Sequence, residues 1–320
     1  MKAIVIRQPG GPEVLQLQEV ETPVLAGGDL LIRTHAIGLN YIDTYHRTGA
    51  YPLPLPFIPG RDGAGVVEAV GADVIGFAVG DRVAWPFAPA SYAELVAVSA
   101  TSVVAIADEI SFDVATAAML QGMTAHYLIN STFEVGPEHT VLIHAAAGGV
   151  GQLLVRMAKL KGARVIATVS TEAKAEIARA AGADFVVRYD QPDWAAAIKE
   201  ISAGVDVVYD GVGATTFDVS LASLRPRGMM VLFGAASGPV REFDLQRLSA
   251  GGSLYVTRPT LGNYIATQEE MQWRAREIFE LISTGDLTFN IGGHFALADA
   301  EAAHIALESR KTTGKIILQP

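Results

Sequence analysis

The stretch that most narrows what this chain can fold into is HAAAGGVGQ, His144 to Gln152. An apolar run, residues 140–143, precedes it, and a helical-looking run, residues 150–160, follows it. A glycine-rich turn from a strand into a helix leaves the first helical N–H groups facing an anion, and α/β folds seat a dinucleotide's pyrophosphate there. The register is A-x-G-x-x-G, with Ala146, Gly148 and Gly151 at the three fingerprint positions. The first position serves a tight turn, the second the approach of the pyrophosphate, and the third close packing of helix on strand. The last two glycines are kept, and Gly149 is an extra one. The methyl group of Ala146 forbids only a backbone with positive φ.

The surrounding pattern agrees with a dinucleotide fold. VLIHA, RVIATV, DFVV, VDVVYD, MMVLFG and LYVT are short apolar strand candidates. Helical stretches at 150–160, 171–181, 194–201 and 215–224 separate several of them. Apolar strands alternating with helices predict an α/β unit, a doubly wound parallel sheet of Rossmann type. The first ~120 residues differ. They are rich in Gly and Pro, with β-type runs LLIRTHAIGL, GAGVVEAVG, DRVAW and YAELVAV, and they predict a mostly β domain. YPLPLPFIPG, with four prolines, predicts an ordered loop. After Leu261 come a helix at 267–283, another at 299–309 and a last strand at 315–318.

The end of the second strand bears on which dinucleotide is bound. Sites that prefer NAD place an Asp or Glu about 20 residues beyond the glycines, on the ribose hydroxyls. Here that position is Ser170, followed by Thr171, with Lys174 one turn on. A hydroxyl and an ammonium attract a 2′-phosphate that a carboxylate would repel. The expected cofactor is therefore NADPH. Tyr189, after the third strand, is placed to pack against the same group, and Glu172 is the opposing signal.

Composition limits the chemistry. Half the residues are apolar and 18% are charged, which describes a core-rich globular chain. The net charge of -10 argues against nucleic acid as a partner. With no cysteine, disulfides, thiolate nucleophiles and thiolate-held zinc are ruled out together. The start, MKAIVIRQPGGPEVL, reads as a strand and a turn, too short in its apolar run for a signal-peptide core. No apolar run is long enough to span a bilayer, so the expectation is a cytoplasmic protein without membrane insertion. The seven histidines form no H-E-x-x-H, and there is no G-x-S-x-G. Each histidine reads as structural or superficial; His144 stands out only because it adjoins the loop. Little side-chain chemistry remains, which suits a reductase that aligns a nicotinamide with an acceptor already prone to take hydride, such as a quinone.

The motifs together resemble a known family. GGPEVL, AIGLNYIDTYHRTGAYP, PGRDGAGVVEAVG, GDRV, HAAAGGVGQ, YDGVG, SLYVTRPTL and LESRKTTGKIIL span the chain and are similar to the zinc-free quinone oxidoreductases, the zeta-crystallin-like branch of the medium-chain dehydrogenases/reductases. Zinc-bearing relatives carry G-V-C-H-x-D and G-H-E-x-x-G. This chain has GLNYID and GRDGAG, so Asn40 and Arg61 stand at metal-ligand positions.

The resemblance implies a GroES-like substrate domain at 1–122 and 265–320, a Rossmann NADPH-binding domain at 123–264, and a homodimer without zinc. It places Asn40, Tyr45 and Tyr51 near the nicotinamide and the quinone, and Thr124 at the nicotinamide end. It places Gly148, Gly149 and Val150 on the pyrophosphate, with Ser170, Lys174, Tyr189 and Arg310 around the adenosine phosphate. Phe233 and Gly234, with VTRPTL, would complete the cofactor cleft. An enone or enoyl-thioester reductase on the same scaffold is the alternative enzyme. A structural or RNA-binding protein that holds NADPH is the alternative of another class.

Overall fold

Six short strands in the middle of the chain form one parallel sheet. The computed structural model describes all residues, 1–320. Across the sheet the strands run Phe185–Arg188, Arg164–Val169, Thr140–Ile143, Val205–Asp210, Leu224–Leu232 and Tyr255–Thr257. In chain order that is 3-2-1-4-5-6, the doubly wound dinucleotide arrangement. Every neighbouring pair is parallel. The strands read as unbroken apolar runs because both faces are covered: Val141, Leu142 and Ile143 have no exposed surface. Helices Gly149–Leu160, Glu172–Ala180, Trp194–Ile201 and Phe217–Ala222 lie between the strands in sequence, close to the expected positions. Leu142, Ile166, Val208, Phe217, Leu221 and Met230 share one core.

The chain divides into two compact units, one of Met1–Met123, Ile265–Phe279 and Phe289–Pro320, the other of Thr124–Tyr264 and Glu280–Thr288. The first unit is built on a seven-stranded sheet whose central strand is Asp29–Leu39. Asp62–Val70 and Leu95–Ser99 pair antiparallel with that strand. The chain's last strand, Lys315–Gln319, does the same, with Ile316 opposite Leu39 and Leu318 opposite Ile37. The C-terminal segment thus returns to the sheet that the first residues build. Ile37, Leu39, Ile316 and Leu318 are all at most 1% exposed, so a non-local apolar contact holds the pairing.

A helical run was not singled out in the sequence. Phe112–Ala117 and Met123–Tyr127 are α-helical, and the wider turns of Ala118–Gly122 and Leu128–Thr132 continue them. Ala115 to Met119 and Met123 to Ile129 are buried almost throughout. A helix buried on nearly every side carries no clear stripe of period 3.6 by which to recognise it.

Candidate functional site

The glycine-rich turn takes the form the sequence predicts, with one change of position. Gly148 caps the Gly149–Leu160 helix in extended conformation and contributes no side-chain cap bond. The Gly148 N–H donates to Ala145 O at 2.8 Å, and the Gln152 N–H donates to Gly148 O at 3.0 Å. By helix geometry the N–H groups of Gly149, Val150 and Gly151 have no acceptor within the helix. A Cβ on Gly151 would lie 2.3 Å from Ala145 O, so the helix approaches the turn closely enough to require glycine. The tight turn itself sits at Ala145, whose φ is +51°, and not at Ala146. Ala146 instead donates its N–H to Thr168 O at 3.1 Å, joining the first strand's end to the second's. Its methyl therefore costs nothing, and the left-handed strain, on the order of 1 kcal/mol, falls on the residue before it.

Beneath the turn, five side chains lock the strand ends. His144 is 1% exposed; its Nδ1 lies 2.7 Å from Thr168 Oγ1 and its Nε2 3.0 Å from Ser220 Oγ. Ser220 Oγ donates to Asp210 Oδ2 at 2.8 Å, and Thr216 Oγ1 to the same oxygen at 2.7 Å. Asp210 Oδ1 accepts the N–H groups of Val212 and Gly213 at 2.7 and 3.0 Å. With Ser220's proton committed to Asp210, Nε2 of His144 donates and Nδ1 accepts from Thr168. Burial pushes this imidazole down, against the opposing pull of Asp210, which fits its neutral role here. His144 thus ties sheet to helix, as a structural histidine.

The second and third strands bring Ser170 and Tyr189 to one end of the sheet: Tyr189 donates its N–H to Val169 O at 3.0 Å. Thr171 caps the following helix and accepts the N–H of Lys174 at 3.3 Å, setting Lys174 in the first turn beside Ser170. Tyr189 meets Trp194 edge to face at 6.2 Å. The opposing signal, Glu172, is already engaged. Its carboxylate takes Arg179 at 2.8 Å and Arg188 at 3.0 Å, and these bonds hold it below the usual carboxylate range.

Further along the same edge, Phe233 donates its N–H to Asp210 O at 2.9 Å. A Cβ on Gly234 would lie 2.4 Å from Gly211 O, so the turns that follow Asp210 and Leu232 meet backbone to backbone. Arg258 of VTRPTL donates to Leu232 O at 3.1 Å. Thr124 is 8% exposed, at the start of this unit. Arg310 belongs to the first unit, in a left-handed turn (φ +57°) after the helix Ala300–Glu308.

In the first unit, Asn40 caps the helix Tyr41–Arg47 and is 4% exposed. Its amide is almost fully used. Nδ2 donates to Asp62 Oδ1 at 2.7 Å and to Gly38 O at 3.3 Å, while Oδ1 accepts from Lys315 Nζ at 2.8 Å. Lys315 also pairs with Asp62 Oδ2 at 2.7 Å, and neither partner has exposed surface. Asp43 closes the cap, accepting the Asn40 N–H at 2.8 Å and the Tyr92 hydroxyl at 3.3 Å. Burial foremost, and the nearby Asp62 charge, push the Asp43 carboxyl up to about 7. Tyr45 meets Tyr51 edge to face at 5.2 Å, and Tyr51 is 44% exposed. Arg61 Nη2 lies 3.5 Å from His46 Nε2; burial and that guanidinium push His46 down to about 4.

Sequence reasoning missed Asp43, Asp62 and Lys315. The available signal was a lysine opening the otherwise apolar strand KIIL. At the two positions where zinc-bearing relatives keep metal ligands, this chain thus has an amide already bound to an ammonium and a guanidinium. Two cations and an amide almost fully engaged do not suit a divalent ion. The uncapped N–H groups and the glycine approach at residues 148–151 do suit a pyrophosphate.

The zinc-binding dehydrogenase family pattern matches residues 149–279, and the alcohol dehydrogenase GroES-like domain matches residues 26–132. A quinone oxidoreductase of Pseudomonas aeruginosa is 46% identical over 323 residues, covering 100% of this chain and 99% of that protein. The crystal structure of Escherichia coli quinone oxidoreductase complexed with NADPH is 41% identical, covers 100% of both chains and superposes with a TM-score of 0.98. A 2-haloacrylate reductase from a Burkholderia species is 40% identical, covering 99% of this chain and 98% of its own.

Proposed function

The chain belongs to the quinone oxidoreductases of the medium-chain dehydrogenase/reductase superfamily and is an oxidoreductase, and from that premise we propose that it reduces quinones with NADPH and without a metal. The observation that carries this reading is the Gly149–Leu160 helix start, which has no side-chain cap, with Ser170 and Lys174 at the next strand end and Tyr189 at the one beyond. NADPH, when bound, supplies the hydride. The N–H groups of Gly149, Val150 and Gly151, with Gly148, hold the pyrophosphate. Lys174 and Ser170 take the 2′-phosphate, Tyr189 packs beside it, and Arg310 adds a second cation. Thr124, Phe233 and Gly234 line the nicotinamide end.

Tyr45 and Tyr51, set edge to face, form an aromatic wall for the acceptor. Asn40 acts by fixing that helix: its amide is held by Asp62 and Lys315, which leaves it one free oxygen lone pair. No side chain is required to donate a proton to carbon, because a reduced quinone takes its protons on oxygen from water. The assembly proposed is a cytoplasmic homodimer, for which the exposed edge strand Tyr255–Thr257 is the available sheet edge.

The test is steady-state turnover of NADPH with 1,4-benzoquinone, a linear enone and an enoyl-CoA. Strong quinone turnover is expected. Strong enone turnover without quinone turnover would overturn the reading in favour of the activity that the 2-haloacrylate reductase relative suggests.

A further inference from the structure

Arg61 is half-buried and makes no salt bridge. Its contacts are the buried His46 imidazole at 3.5 Å and the Phe87 ring at 5.0 Å. The ion pairs of this unit go to other cations: Arg33, Arg47, Arg82, His294 and Lys315. Asp43 acts on Arg61 through space without a hydrogen bond to it: its Oδ2 is taken by Asn40 and Tyr92, and its buried Oδ1 has no partner. The arginine is nonetheless held in place, since the Ala88 N–H donates to its carbonyl at 2.7 Å. Partly withdrawing a guanidinium from water without an ion-pair partner costs free energy, and a bound anion recovers it. His46 cannot be that partner, because it stays neutral.

The neighbours of Arg61 add shape to this charge. Tyr51 lies 6.3 Å from His46 and 5.2 Å from Tyr45, ring centre to ring centre, so a file of aromatic rings runs from the guanidinium to the proposed acceptor wall. A planar conjugated body fits the rings, and an oxyanion on it fits the charge.

We propose that Arg61 recognises an anionic substituent on the acceptor, so that the preferred substrates are conjugated carbonyl compounds carrying a carboxylate or sulfonate. This rests on the reading that Tyr45 and Tyr51 face the acceptor. The reduction itself is unchanged: hydride and one proton are added, and the anionic group keeps its charge throughout.

The experiment compares 1,4-naphthoquinone with its 2-sulfonate as acceptors for NADPH, in the wild type and in Arg61→Gln and Arg61→Lys. Arg61→Gln is expected to lower kcat/KM for the sulfonate by roughly 10- to 100-fold, mostly through KM, and to leave the neutral quinone unchanged. Arg61→Lys keeps the charge and restores part of the loss. Calorimetric binding of naphthalene-2-sulfonate to the enzyme should weaken by the same factor in Arg61→Gln, at an unchanged melting temperature. Equal losses for both quinones, or no loss for the sulfonate and its analogue, would overturn the role of Arg61. Should the wild type reduce neither quinone, the proposed activity falls, and the calorimetry still decides the anion site.

Discussion

The two regions proposed to act together are built by opposite means. The phosphate turn is made of backbone: Gly148 and Gly151 let the chain approach itself, and the binding groups are N–H donors of one helix end. The Asn40 region is made of buried charge: Lys315, Asp62 and Asn40 satisfy one another across 275 residues of sequence, and Asp43 is bonded to the Asn40 N–H. A backbone site needs specific residues in one short segment, so it leaves a local signature. A buried ionic cluster needs only that distant residues meet, so it leaves almost none. The first tolerates little added volume. The second tolerates little imbalance of charge.

The largest effect separates the two by charge. Lys315→Met leaves the Asp62 carboxylate buried beside Asn40 without its cation, and should cost about 3–5 kcal/mol in urea unfolding. A loss within the error of the measurement would mean that the cluster is not a load on the fold. Gly151→Ala tests the backbone side. Its methyl would meet Ala145 O at 2.3 Å, so the turn must shift. Overpacking of this kind costs about 1–3 kcal/mol, and NADPH affinity should fall with it. A variant with native stability and native affinity would show that the close approach is not needed.

The smallest effect is a slope. Asp43, raised to about 7, binds its proton more tightly folded than unfolded, so its contribution is full below the unfolded value of 3.8 and is lost as pH rises through about 7. His46 and His304, lowered to about 4 and about 3, act in the opposite sense. Their contribution is full above the unfolded value of 6.5 and is lost as pH falls through those folded values. Between these limits the aspartate offsets one of the two histidines. Asp43→Asn should therefore steepen the rise of unfolding free energy with pH, by about 1.4 kcal/mol per pH unit between about pH 4.5 and 6. An identical slope in the two proteins would remove Asp43 as a titrating group in this range.

The same contrast explains what the sequence revealed. The parallel sheet, its helices and the glycine turn were legible because each rests on a periodicity or a fixed spacing within about 30 residues. The turn was misplaced by one residue, because composition alone does not tell which alanine, Ala145 or Ala146, takes the left-handed conformation. Glu172 looked like a repulsive charge until the fold set Arg179 and Arg188 against it. The helical run at 112–132 is buried on nearly every side and lacked a stripe. Asn40 was singled out by position, but Lys315, which holds its amide, read only as the start of the last strand. The return of that strand to Asp29–Leu39 depends on contacts that no local pattern carries.

The central claim is that the backbone turn takes a dinucleotide and that Ser170, Lys174 and Tyr189 make it NADPH. Affinities of NADPH and NADH for the wild type and Lys174→Ala, measured by fluorescence titration, test this directly. Loss of a charged phosphate contact should weaken NADPH by about 1.5–3 kcal/mol and leave NADH nearly unchanged. An unaltered ratio of the two affinities would contradict the account.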